Sequence, residues 1–80
     1  MIRVFAIDLP SVELAILFSE LFENRSGVRQ TGRYGARFVV SVYDESFALT
    51  DRLLNAGFAE YPLTDTWDIA CGRVPPLSDG

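Results

Sequence analysis

The chain predicts an α+β domain: a two-layer sandwich in which two helices lie on one face of a small, three- to four-stranded, mostly antiparallel sheet. Three observations lead there. Phe38, Val40 and Val42 alternate with Arg37, Val39, Ser41 and Tyr43, a period of two in β-branched and aromatic residues. Segments of helical spacing flank this strand on both sides. Further short apolar runs open the chain and lie near its end, so the order is β-α-β-α-β and both helices can share one sheet face.

Each element has its own signal. Ile2 to Ile7 is apolar except at Arg3, as suits a central strand or one covered on both faces. Leu9 precedes Pro10, which keeps it out of the helical region, and Ser11 is a good N-cap. The first helix is expected from Ser11 to about Arg25. Leu14, Leu17, Phe18, Leu21 and Phe22 form its apolar face, and Glu13, Glu20 and Glu23 fall opposite. Val12 and Ile16 sit among the glutamates, which gives that side an acidic-apolar character.

The segment Arg25 to Arg37 carries three glycines and four of the seven arginines. Two readings stay open: a hairpin tipped at Thr31-Gly32, with Val28 to Gln30 against Arg33 to Ala36, or a plain loop. After the central strand, Asp44 is the expected N-cap of a second helix from Glu45 to about Ala56. Gly57 at C′ and Phe58 at C″, packed back on Leu53, are expected to stop it. Phe58 to Tyr61 reads as a short strand or extended connector. Thr66 to Cys71 alternates, with Trp67, Ile69 and Cys71 on one face, and reads as the last strand. A single domain over residues 1–74 and a flexible tail over 75–80 follow, the tail because of Pro75-Pro76.

Composition narrows the function. A chain of 80 residues buries only about 60–65% of its unfolded surface, so its stability is modest unless it associates. With 49% hydrophobic residues, some apolar side chains are expected to remain exposed for a partner, and a homodimer is compatible with this. All seven bases are arginine, and there is no histidine. That removes the commonest general base and metal ligand. Cys71, the only cysteine, has no imidazole to activate it and reads as a buried small hydrophobe. No phosphate-loop or dinucleotide fingerprint is present. The expectation is a non-enzyme without cofactor or metal. No run approaches a membrane span and no signal-peptide core is evident, so a cytoplasmic protein without membrane contact is expected.

Charge supplies the candidate surfaces. Net charge is −4, and outside Arg25 to Arg37 three arginines face 11 acids. The first candidate is acidic: Glu13, Glu20 and Glu23 on the first helix, Asp44, Glu45 and Asp51 at the second, and Asp65 and Asp68 around the last turn. Such a set suits docking on a basic protein surface, with Val12, Ile16 and Trp67 as apolar anchors. The second candidate is the arginine segment, where Arg29, Arg33, Tyr34 and Arg37 have the chemistry to touch phosphates and stack a base. The net negative charge works against direct nucleic-acid binding.

In overall profile, with its small size, skewed charge, lack of a catalytic set and βαβαβ-like order, the chain resembles the acidic, stand-alone anti-CRISPR proteins of bacteriophages. No motif carries this resemblance, so no residue role transfers with it. It implies an inhibitor in the host bacterial cytoplasm that binds an effector complex, often of type I, and blocks target-DNA binding by its basic subunits. Two alternatives stand beside it: a nucleic-acid-binding module using the Arg25 to Arg37 segment, and a ferredoxin-like ligand-sensing or dimerisation domain.

Overall fold

β1 (Ile2–Asp8), α1 (Val12–Glu23), β2 (Val28–Tyr34), β3 (Arg37–Tyr43), α2 (Ala48–Asn55), β4 (Ala59–Tyr61) and α3 (Thr66–Ala70) follow one another along the chain in a computed structural model that describes residues 1–45 and 47–77. The strands form one open sheet in the order β2-β3-β1-β4, with every neighbouring pair antiparallel. β1 and β2 therefore run in the same direction with β3 between them. This is the split βαβ plan of ferredoxin-like folds. The α+β class, the antiparallel sheet and the pair of helices on one face are as the sequence predicts.

The strand pattern divides the core in two. Phe5, Phe38, Val40 and Val42 point to the face carrying α1 and α2, where they meet Leu53 and Phe58. Phe18, Phe22, Phe38 and Phe58 form an aromatic cluster there, with ring centroids 5.2–6.5 Å apart. Such ring pairs contribute about 0.5–1.5 kcal/mol each beyond the area they bury. The alternate residues Val4, Ala6 and Val39 point to the other face and pack with Tyr61, Ile69 and Ala70. Every residue from Phe38 to Val42 is buried, as expected for a strand covered on both sides.

The helix boundaries follow from capping. Ser11 is the N-cap of α1 and its side chain accepts from the Leu14 N–H at 3.2 Å. α2 ends in the expected Schellman arrangement. The Phe58 N–H donates to the Leu53 carbonyl, the Gly57 N–H donates to the Leu54 carbonyl, and Gly57 takes φ +104°. α2 starts later than predicted, at Ala48, with Phe47 as its N-cap at φ 63°. Asp44 still serves the helix, from a distance: its carboxylate accepts the Thr50 N–H at 2.8 Å and also the Thr50 hydroxyl. Ser46, in the segment predicted to open this helix, lies outside the described residues.

Three sequence expectations are corrected. The Thr31-Gly32 tip is not a turn. Val28 to Tyr34 is one continuous strand with a bulge between Val28 and Gln30, and the hairpin turns at Gly35-Ala36. Gly35 takes φ +60° at the first central position, where a two-residue hairpin favours glycine. The predicted last strand, Thr66 to Cys71, is the helix α3, and it covers the second face of the sheet. Asp65 caps it by accepting the Trp67 N–H at 2.8 Å. Thr66, Ile69 and Ala70 then turn inward together, a spacing of three and four that three alternating residues cannot rule out. Cys71 is consequently the C-cap of α3 and only half-buried.

The C-terminal segment returns to the sheet edge, where the Leu77 N–H donates to the Glu60 carbonyl at 2.8 Å. Ser78 to Gly80, the end of the predicted tail, lie outside the described residues.

Candidate functional site

The surface of α1 is the most unusual of the molecule. The helix docks through Ala15, which is fully buried, and through Phe18 and Phe22, which are half-buried. Its other large apolar residues, Val12, Leu14, Ile16, Leu17 and Leu21, remain 36–54% exposed. Of these, Leu14, Leu17 and Leu21 stand at i, i+3 and i+7 and form one stripe. Leu17 lies four residues after Glu13 and three before Glu20, so the two carboxylates border the stripe. Sequence reasoning put these leucines inward. The sheet is narrow, and the phenylalanines with Ala15 fill the contact, which leaves the leucines outside.

Glu13, Glu20 and Glu23 are all exposed, and α1 contains no base. Among the described residues none of the three takes part in an ion pair. An apolar stripe beside unpaired carboxylates is therefore available as one continuous surface.

The remaining predicted acids do not join it. Asp44 is 4% exposed and its carboxylate is used by Thr50, which holds it below the ordinary carboxylate range. Glu45 pairs with the N-terminal amine at 3.4 Å. Asp51 is exposed on α2. Asp65 caps α3 and Asp68 pairs with Arg73 at 3.3 Å, both on the opposite side of the sheet from α1. Trp67 is exposed on α3 and meets Tyr34 edge-on at 5.6 Å, so it is separated from Val12 and Ile16 by the sheet.

The arginine segment is likewise divided. Arg33 stands opposite Phe38 and points to the α1 side, whereas the adjacent Tyr34 points to the α3 side. Arg37 is occupied: it holds Asp8 through two hydrogen bonds of 2.7 and 3.2 Å and donates to the Ile69 carbonyl at 3.1 Å. The bond from Arg37 lowers the Asp8 carboxyl below its usual range and raises the guanidinium in turn. Arg3 is similarly taken by Glu60 in a bidentate pair of 2.8 and 3.0 Å, with Phe47 stacked 4.8 Å from the guanidinium carbon. Arg29 donates to the Gln30 side-chain oxygen at 3.4 Å, and Arg33 donates to the Gly35 carbonyl at 3.0 Å. The four residues proposed for nucleic acid thus share no single face.

Arg25 opens the arginine segment read from the sequence, which has no role for Arg52; the fold places the two on one cleft. They line this cleft, between α1 and α2, together with Phe18 and Phe22 of the phenylalanine cluster. Only the folded arrangement brings them together, because 27 positions separate them in the chain. Among the described residues there is no group of three or more His, Cys, Asp or Glu side chains placed to hold a metal ion. No helix of the described residues is long and apolar enough to cross a membrane. Comparison of the chain with protein-family models, curated proteins and solved structures gives no match.

Proposed function

We propose that the domain is a non-enzymatic protein-binding inhibitor that docks the outer surface of α1 on a basic groove of a nucleic-acid-handling effector complex. The observation that carries the reading is the Leu14, Leu17 and Leu21 stripe bordered by unpaired Glu13 and Glu20. Covering that stripe removes apolar area from water at about 25 cal/mol per Å². The glutamates accept hydrogen bonds from arginines or lysines at the rim, and they steer the encounter before contact. A groove that normally holds a phosphate backbone offers this chemistry. Occupation by α1 then excludes the nucleic acid by competition for the same cations. The anti-CRISPR resemblance points to the same class of target, a type I complex.

The test is competition. A purified type I effector complex is incubated with its target DNA and increasing amounts of the domain, and the DNA complex is followed by gel shift. The expected result is loss of the shift near one domain per binding site. L17A/L21A and E13K/E20K/E23K should each abolish the effect, because these side chains make the proposed contact, and none of them belongs to either core cluster. Undisturbed DNA binding at large excess of the domain rejects this target. Full inhibition by both variants rejects the α1 surface.

A further inference from the structure

We infer that the cleft between α1 and α2 is a binding site for an amphipathic organic anion, with an apolar chain or ring on its phenylalanine floor and a carboxylate held by Arg25 and Arg52. The cleft has a volume of about 360 Å³, inside the range of small-molecule sites. Its floor is formed by the half-buried Phe18, Phe22, Val28 and Leu49, with Leu53 and Phe58 almost wholly buried beneath them, and Arg25 and Arg52 stand in its wall.

The lining charge makes the choice of ligand. In a chain with 11 acids and seven bases, the lining of this cleft contains two bases and no acid. Three other arginines are committed: Arg3 to Glu60, Arg37 to Asp8 and Arg73 to Asp68. Among the described residues, Arg25 and Arg52 enter no ion pair and make no side-chain hydrogen bond. A guanidinium fork matches a carboxylate in geometry as well as charge. Two uncommitted forks over an apolar floor therefore select a molecule with an anionic head and an apolar body. A neutral apolar molecule leaves the forks unused, and a hydrophilic anion leaves the phenylalanines unused.

This site is separate from the leucine stripe, which does not line the cleft. The test uses decanoate as the probe, with decan-1-ol and decylammonium as charge controls. Binding is followed by amide chemical shifts on the full chain. Decanoate should produce saturable shifts centred on Val28, Leu49 and Ala56, and decan-1-ol should bind at least tenfold more weakly. R25Q/R52Q should weaken decanoate at least tenfold, and R25E/R52E should reverse the preference to decylammonium. A56F should block the cleft with both arginines in place. The wild-type-like spectrum of each variant verifies its fold. Equal binding of decan-1-ol, shifts centred around Trp67, or unchanged affinity in R25Q/R52Q overturns the inference, as does absence of saturable binding.

Discussion

Replacing Ile69 by alanine tests the part of the fold that departs most from the sequence pattern. Ile69 is fully buried and packs against Val4, Ala6, Val39 and Tyr61. Truncating such a residue costs about 2–5 kcal/mol, the lost transfer energy plus the cavity left behind. Partial collapse of a five-residue helix into the space argues for the middle of that range, about 3 kcal/mol. A domain of 80 residues has roughly 4–12 kcal/mol in all at ~0.05–0.15 kcal/mol per residue. The variant should therefore melt about 12–24 °C lower, at ~4–8 °C per kcal/mol for a chain this size. Trp67 provides the comparison. It is 51% exposed, and it meets the Tyr34 ring edge-on. W67A should cost about 1 kcal/mol, largely the edge-to-face pair. C71S, at a half-buried cap, should cost less than about 1 kcal/mol. Urea denaturation followed by far-ultraviolet circular dichroism gives all three values. A strand over these residues would place Trp67, Ile69 and Cys71 on one face and make the three costs similar. That outcome would refute the helical assignment and the second core with it.

Two further predictions concern caps and carboxylates. G57A should lose about 1–2 kcal/mol in the same assay, because an alanine at φ +104° has its Cβ against the backbone; the added Cβ would meet Ile7 Cδ1 at 3.6 Å, an ordinary van der Waals contact, so the cost is conformational. Stability should also fall in acid. Asp8 and Asp44 both titrate below their ordinary value of 3.8, through hydrogen bonds from Arg37 and Thr50 respectively. A depressed folded-state value means the stabilisation is complete above about pH 4 and is lost as pH falls through the lower folded values. T50V removes one donor to Asp44 and should flatten the acid limb of a stability-against-pH curve, whereas an unchanged slope would show that the Thr50 hydroxyl does not matter.

Much of the fold was legible because it rests on local signals. Ser11, Gly57 and the alternation from Arg37 to Tyr43 act through their immediate neighbours, and each does what its residue type suggests. Thr66 to Ala70 was misread because five residues satisfy both periods. The deciding contacts, with Val4, Ala6 and Val39, lie more than 25 positions away. β2 was obscured by Gly32, which weakens a strand in isolation. Here it faces Thr66, and an added Cβ would sit 3.4 Å from the Thr66 hydroxyl oxygen. The α1 surface was half legible. The glutamates and the exposed Val12 and Ile16 could be read off a helical wheel, but exposure of Leu14, Leu17 and Leu21 depends on how far the sheet extends beneath the helix. Pairing among charges is a property of the register, so the withdrawal of Arg37 into its pair with Asp8 had no sequence signal, whereas Asp44 could be read as serving the second helix though not through Thr50.

The two margins of the sheet differ in a way that limits how copies of this chain can join. In the three-residue strand β4, Glu60 is the middle residue, opposite Phe5 of β1, and its carbonyl already receives the Leu77 N–H. That margin is closed by the chain itself. The margin at β2 is seven residues long and carries no further strand, but it is bent by a bulge and bears Arg29 and Arg33. Bulges and charges are the usual protection of an edge. Strand-to-strand joining at β2 therefore has to accommodate the bulge and the arginines, and at β4 it has to displace the Leu77 segment. Both margins thus carry features that oppose growth by sheet extension: a chain segment bonded at β4, and a bulge with two arginines at β2.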